Sequence, residues 1–142
     1  MSLSVHVIAS TVRDNYFYLL EAGDQLMLVD PLDAPTAIAA VRALEDDGKE
    51  LVAVLNTHWH PDHVGGNAAM LDAFPDVPLI APEAEREQIE NFGSRPIDQG
   101  ISGQDTLSIG GLEIEILETP GHTHGHVSFL IEEHLFSGDV IF

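Results

Sequence analysis

The segment Thr57-His58-Trp59-His60-Pro61-Asp62-His63 follows the apolar run Leu51-Val52-Ala53-Val54-Leu55, and together they indicate the architecture of the chain. A continuous apolar run of this length is typical of a strand buried on both faces, in a sheet covered by helices. The polar segment after it holds three imidazoles and one carboxylate within six consecutive residues. Because such side chains are costly to bury as a group, core packing does not explain them. We therefore expect a functional site at the end of a buried strand.

The spacing of these side chains predicts a metal site. In an extended segment His58 and His60 point to the same side, because alternate residues do. Two neutral imidazoles that converge in this way suit a borderline metal such as zinc. Asp62 and His63 come next along the chain, where they could hold a second ion or orient a water molecule. The alternative is a surface cluster of histidines that binds no metal.

A second segment, Thr119-Pro120-Gly121-His122-Thr123-His124-Gly125-His126, supplies the third protein ligand that a catalytic zinc site needs. The turn residues before His122 would present this side chain from the end of a strand, so His122 is the first candidate. Spacing alone also allows His124 and His126 as ligands. His126 ranks lower because it begins an apolar strand, where a histidine is more often a hydrogen-bonded structural residue.

The last candidate ligand is Asp139, in the final segment Ser137-Gly138-Asp139-Val140-Ile141-Phe142. A small residue, glycine and aspartate after an apolar strand favour a ligand role over an ordinary turn residue. The segment ends on apolar residues, whereas natural chain ends are usually exposed. We therefore expect that the sequence is cut here and that more chain follows in the gene.

Hydrophobic patterning predicts a mixed α/β layered domain spanning residues 1–142. A hairpin is expected across Gly110-Gly111, because paired glycines between two strand patterns favour a tight turn. Helices are expected at about 35–46, 67–73 and 82–91. Strands are expected at 5–9, 16–21, 25–30, 51–55, 77–81, 106–109, 111–117, 126–131 and 135–136.

Composition narrows the possible partners and compartments. The chain has 142 residues with 24 acidic and 5 basic side chains, a formal charge of −19. A field this negative repels nucleic acids and anionic membrane surfaces, so neither is expected as a partner. The sequence has no transmembrane run and no signal-peptide pattern, so we expect a cytoplasmic protein. The cysteine count of zero excludes thiolate ligands and thiol nucleophiles. Two explanations of the negative charge stay open: an ordinary acidic surface, and adaptation to high salt, which the single lysine, Lys49, favours.

Together these segments resemble the metallo-β-lactamase superfamily, whose marker is His-x-His-x-Asp-His, and within it the glyoxalase II (hydroxyacylglutathione hydrolase) branch. The resemblance implies an αββα sandwich, of which this chain would hold the N-terminal part. It covers nearly the whole chain in the family's order. It is carried by Asp14-Asn15-Tyr16, Val29-Asp30-Pro31, residues 57–67, residues 119–126 and Leu135-Phe136-Ser137-Gly138-Asp139.

The resemblance also implies a binuclear metal centre that hydrolyses a small-molecule thioester such as S-lactoylglutathione. Zinc is the default ion, and iron or manganese are alternatives. A water shared by the ions would attack the thioester carbonyl, with Asp62 and Asp139 as the catalytic carboxylates. The implied ligands are His58, His60 and His122 for the first metal, Asp62 and His63 for the second, and Asp139 as the bridge.

Two departures from the family pattern bear on this expectation. A later histidine for the second metal and the C-terminal residues that bind glutathione do not occur within these residues. We therefore expect one tightly held metal and a second, weakly held one. Other activities of the superfamily stay open: a lactonase, a β-lactamase, or a mononuclear iron persulfide dioxygenase using His58, His122 and Asp139. An inactive metal-binding fragment is the non-enzymatic alternative, and the oligomeric state is not predicted.

Overall fold

Six strands form one sheet, and the apolar run at 51–55 lies in its interior. The computed structural model describes residues 3–11, 16–120, 123–137 and 140–141. The order of strands in this first sheet follows their order in the chain. The strands are β1 (Leu3–Ala9), β2 (Tyr16–Ala22), β3 (Gln25–Val29), β4 (Glu50–Leu55), β5 (Leu79–Pro82) and β6 (Gln99–Ile101).

Strand direction in the first sheet decides where the functional segments meet. β1, β2 and β3 pair antiparallel, whereas β3, β4, β5 and β6 pair parallel to one another. Parallel strands place their carboxyl ends at one edge of a sheet, which is where open α/β sheets bind their ligands. The segments that follow β3, β4 and β5 therefore meet at that edge.

The second sheet is antiparallel and has the order β11-β10-β9-β8-β7. The hairpin expected at Gly110-Gly111 is confirmed, with φ values of +54° and +87° at the two glycines. Both central residues of this turn need positive φ, which glycine adopts without strain. The strands are β7 (Thr106–Ile109), β8 (Leu112–Glu118), β9 (Val127–Ile131), β10 (His134–Ser137) and β11 (Val140–Ile141).

The helices cover the face of the first sheet that points away from the second. Asp33 caps the first helix by accepting a hydrogen bond from the backbone N–H of Thr36, and a proline occupies its first turn. The expected helix at 82–91 is divided into a short 3₁₀ turn and an α-helix. None of the helices in the described ranges is long and apolar enough to cross a membrane. They are α1 (Ala34–Glu45), α2 (Pro61–Val64), α3 (Asn67–Ala73), the 3₁₀ turn (Glu83–Glu85) and α4 (Arg86–Gly93).

Two apolar layers hold these elements together. Alternate residues of β2 point to opposite faces, so Leu20 packs toward the second sheet while Leu19 packs toward the helices. The layer between the sheets includes Ile116, Phe129 and Phe136, all almost fully buried. The resulting order is helices, first sheet, second sheet, three layers of the expected αββα sandwich. The predicted fold class is confirmed.

Candidate metal centre

Three segments converge at the carboxyl edge of the parallel strands. Asp30 follows β3, the histidine segment at 57–63 follows β4, and Glu85 lies in the 3₁₀ turn after β5. The side chains of Asp30, His58, His63 and Glu85 are all buried. Parallel pairing of β3, β4 and β5 thus gathers polar residues that lie far apart in the sequence.

The histidine segment changes conformation at Pro61, which brings its imidazoles together. His60 precedes α2 with an extended backbone (φ −54°, ψ 138°), and Pro61 begins the helical turn. Proline is favoured there because its fixed φ suits the first helical position. The ring centroid of His58 therefore lies 4.9 Å from that of His60 and 4.2 Å from that of His63. His58 and His60 approach one another as the spacing predicts.

The two ring nitrogens of His63 face different carboxylates. Nδ1 lies 3.0 Å from Oδ2 of Asp30, and Nε2 lies 3.6 Å from Oδ2 of Asp62. His63 is almost fully buried, whereas the side chain of Asp62 is 37% exposed. Because Asp30 engages Nδ1, a metal held by His63 would be bound through Nε2, on the side of Asp62.

Asp30 also binds the start of the histidine segment. Its Oδ1 accepts a hydrogen bond from the backbone N–H of Thr57 (2.9 Å), and its Oδ2 accepts one from Thr57 Oγ1 (2.6 Å). Burial raises the pKa of the Asp30 carboxyl, but its interaction with His63, including their hydrogen bond, outweighs this, so the pKa lies below its ordinary value. Asp30 is therefore a carboxylate that orients its neighbours.

Sequence reasoning quoted Asp30 for the resemblance but did not place it among the site residues. Asp30, His58 and His63 have ligand atoms within 4.8 Å of one another, the spacing of a metal-binding group. Since both Asp30 oxygens accept hydrogen bonds from Thr57, we assign Asp30 to orientation of the ligands. The sequence feature that could have identified Asp30 is its position directly after an apolar strand.

His126 joins the second segment to this cluster. Its ring stacks on that of His58, with centroids 4.7 Å apart and planes 28° apart. Nδ1 of His126 lies 2.9 Å from Oγ1 of Thr119, and the backbone N–H of Val127 donates to the carbonyl of Thr57. His126 is buried and hydrogen-bonded, as a structural histidine would be, while His124 is exposed. The second segment therefore lies directly against the first.

The structure covers part of the predicted ligand set. It brings His58, His60, Asp62 and His63 into one cluster. The predictions for His122 and Asp139, and the motif residues Asp14 and Asn15, lie outside the described residues. Imidazoles with carboxylates and no sulfur form a donor set that fits zinc, iron or manganese. The described residues therefore fit the metal ion that the sequence predicts.

Comparison with known proteins agrees with the expected family. The model of the metallo-beta-lactamase superfamily matches residues 10–142. A hydroxyacylglutathione hydrolase of Gloeobacter violaceus is 36% identical, over 94% of this chain and 51% of that protein. One of Bdellovibrio bacteriovorus is 40% identical, over 91% of this chain and 49% of that protein. The chain thus spans about half the length of the curated relatives it matches.

Solved structures share the same architecture. ETHE1 from Myxococcus xanthus matches with a TM-score of 0.77 at 21% identity, over 94% of this chain and 56% of that one. The BLEG-1 B3 metallo-beta-lactamase matches with a TM-score of 0.76 at 27% identity, over 98% of this chain and 73% of that one. The likeness to ETHE1 is one of fold alone. With the family match, the two facing sheets and the histidine segment at the end of β4, this chain belongs to the metallo-β-lactamase superfamily.

Proposed function

We propose that this chain carries the metal centre of a hydrolase of the glyoxalase II type, which cleaves a thioester such as S-lactoylglutathione. The buried cluster of His58, His60 and His63, oriented by Asp30, is the observation that carries the proposal. The relatives named hydroxyacylglutathione hydrolase, at 35% to 40% identity, favour this branch of the superfamily.

The proposed ligand set combines the described cluster with two residues outside it. When bound, a divalent ion supplies a water of lowered pKa and a Lewis acid for the thioester carbonyl. Zinc is the proposed ion, with iron or manganese as alternatives. The proposed ligands are His58, His60 and His122 for a first ion, Asp62 and His63 for a second, and Asp139 for both.

The hydrogen bonds around Thr57 favour one tautomer for two of these histidines. Its hydroxyl has one proton, and the Asp30 carboxylate can only accept, so Thr57 Oγ1 donates to Asp30. Thr57 Oγ1 then accepts a hydrogen bond from Nδ1 of His58, 2.7 Å away. Nδ1 of His63 donates to Asp30 in the same way. Both rings would therefore carry their proton on Nδ1 and bind a metal through Nε2.

Aromatic side chains flank the cluster on the side of α4. The ring of Trp59 lies 4.7 Å from that of His60 and stacks on that of Phe92 at 5.1 Å, centroid to centroid. Phe92 is 46% exposed, which is high for an aromatic ring. We assign this pair to the wall of the site, where it would contact the part of an organic substrate that does not react.

The proposed function is tested with the zinc-loaded chain and S-lactoylglutathione. We expect loss of the thioester that stops after treatment with a chelator, returns on adding zinc, and is lost in His60→Ala. A matched control is His6→Ala, because His6 lies on β1, hydrogen-bonded to Glu21 and outside the cluster. Hydrolysis that survives complete removal of metal would contradict the proposal. Thiol-dependent oxygen uptake by the iron-loaded chain, without hydrolysis, would replace it with the dioxygenase alternative.

A further inference from the structure

Glu85 is a buried carboxylate on the 3₁₀ turn, and it contacts the two segments that carry histidines: 57–63 at Trp59 and 119–126 at Gly125. Its side chain is 2% exposed. Oε1 accepts a hydrogen bond from the backbone N–H of Trp59 at 2.9 Å, and Oε2 accepts one from the backbone N–H of Gly125 at 2.7 Å. Trp59 stands between His58 and His60, and Gly125 directly precedes His126. One side chain thus joins the two segments.

Packing at Gly125 shows independently that this contact is close. A Cβ atom built on Gly125 would lie 2.7 Å from Cβ of Ala84 and 2.8 Å from Cγ of Glu85. Real Cβ atoms essentially never approach other heavy atoms this closely, so a larger residue would push the second segment away from the 3₁₀ turn. The steric contact and the hydrogen bond therefore both hold Gly125 close to the 3₁₀ turn.

The 3₁₀ turn that carries Glu85 is itself held in place. Arg86 pairs with Glu83 at 2.7 Å and with Glu90 at 3.1 Å, and it donates a hydrogen bond to the carbonyl of Ile97. Next to it, α4 is packed against the first sheet through the fully buried Ile89. Glu85 thus projects from a packed, ion-paired turn toward the two segments that it joins.

We propose that Glu85 is a positioning residue that sets the separation of the two histidine segments and so the geometry of the metal centre. This inference rests on the proposed function, because it concerns the same centre. The chemistry of the carboxylate suits the task, since each oxygen accepts from one backbone N–H. An amide of the same size has one acceptor and one NH₂ group, so it would keep one of these hydrogen bonds and oppose the other.

The test compares Glu85→Gln with Glu87→Gln, which removes the same charge from an exposed position on α4. Cobalt(II) is the probe, because its visible absorption reports the geometry of its ligands. We expect Glu85→Gln to weaken cobalt binding by about 10- to 100-fold, to alter the absorption bands, and to speed hydrogen exchange at whichever of the Trp59 and Gly125 amides loses its acceptor. Glu87→Gln should match the unmutated chain in all three measurements.

A second pair of variants guards against a variant that fails to fold. Gly125→Ala should weaken cobalt binding through the steric clash, with the Glu85 side chain intact. Gly48→Ala is its control: Gly48 has φ +83° and no heavy atom within 4 Å of a Cβ, so alanine there costs stability by backbone strain alone. Equal cobalt affinity in Gly48→Ala and Gly125→Ala would overturn the proposal.

The remaining outcomes are also decisive. Unchanged cobalt affinity and absorption in Glu85→Gln would overturn the positioning role, and so would unchanged amide exchange at Trp59 and Gly125. If the unmutated chain binds no cobalt, the proposed metal centre fails and the positioning role fails with it. Hydrogen exchange measured without metal separates the two failures. Faster exchange in Glu85→Gln, in a chain that binds no cobalt, would mean that the contacts of Glu85 exist but that the metal centre does not.

Discussion

Oδ2 of Asp30 lies 3.0 Å from Nδ1 of His63, and both side chains are 1% exposed. Asp30 stands at the end of β3 and His63 in α2, so this contact ties the first sheet to the helical turn that carries the histidines. The same carboxylate also accepts hydrogen bonds from the backbone N–H and the hydroxyl of Thr57. The proposed ligand geometry therefore depends on Asp30, which we do not assign as a ligand.

The substitution Asp30→Asn tests this dependence. Asparagine keeps the size of the side chain but replaces one acceptor with a donor and removes the charge that faces His63. We expect zinc affinity to fall by about 10- to 100-fold, because residues that orient metal ligands have effects of this size. A competition titration with a chromophoric chelator measures it. Asp72→Asn, at an exposed position on α3, is the control, and equal affinity in the two variants would refute the role of Asp30.

Two buried asparagines connect the end of β4, just before the histidine segment, to the start of α3. Nδ2 of Asn67 donates to Oδ1 of Asn56 at 2.7 Å, and Nδ2 of Asn56 donates to Oδ1 of Asn67 at 3.2 Å. Asn67→Ala leaves a buried amide short of its partner, so we expect the free energy of unfolding to fall by about 1–3 kcal/mol. Urea unfolding measures this change. Asn56→Ala should lower the free energy of unfolding by less in the Asn67→Ala variant than in the unmutated chain. Strict additivity of the two changes would mean that the two amides are not coupled.

Asp33 predicts a defined acid dependence of stability. It accepts hydrogen bonds from the backbone and hydroxyl of both Thr11 and Thr36. Burial raises the pKa of Asp33, but these hydrogen bonds outweigh it and lower the pKa from 3.8 to about 2. The pKa is lower in the folded chain than in the unfolded one. Ionised Asp33 therefore stabilises the folded chain fully above the unfolded pKa of 3.8, and this stabilisation is lost as the pH falls toward 2.

The variant Asp33→Asn isolates this contribution, since asparagine can cap a helix but does not ionise. At neutral pH we expect it to lower the free energy of unfolding by about 1–2 kcal/mol, because the favourable ionisation of Asp33 is lost. The difference from the unmutated chain should shrink as the pH falls from about 5 to about 2. Urea unfolding in the presence of a chelator provides the measurement. A difference that does not change with pH would show that the Asp33 charge is not responsible.

The excess of acidic side chains predicts a stability that rises with salt. The formal charge is −19, and three glutamates, Glu113, Glu115 and Glu132, line one groove. Salt at about 1 M shortens the Debye length to roughly 3 Å and so screens this repulsion. We expect the urea midpoint to rise from low salt to about 1 M KCl, and to rise less in the double variant Glu113→Lys, Glu115→Lys. A midpoint indifferent to salt would leave an ordinary acidic surface as the explanation.

The local features of this fold could be predicted because their causes are local. Paired glycines at 110 and 111 require a tight turn, and the run at 51–55 can only be a buried strand or a short buried helix. The helix at 67–73 has the bounds expected from its flanking Gly65-Gly66 and Pro75. By contrast, α2 and β6 are too short to show a period and were not predicted.

The supports of the candidate site could not be predicted, because their partners lie far apart in the sequence. Asp30 contacts Thr57 and His63 only because β3 and β4 pair in parallel. Glu85 falls within the helix expected at 82–91, yet it lies in a 3₁₀ turn and is buried between two loops. A glutamate in an acidic, helix-like stretch gives no sign of this. The stacking of His126 on His58 likewise arises from the approach of the second sheet to the first.

The central claim, that the cluster around His58 holds a metal ion, is tested most directly by zinc retained per chain after loading and removal of free ions. The account predicts one tightly held ion in the unmutated chain, none in the double variant His58→Ala, His60→Ala, and one in the control His6→Ala, His134→Ala. The control removes as many imidazoles from β1 and β10. An unmutated chain that retains no zinc, or a His58→Ala, His60→Ala variant that retains as much, would contradict the account.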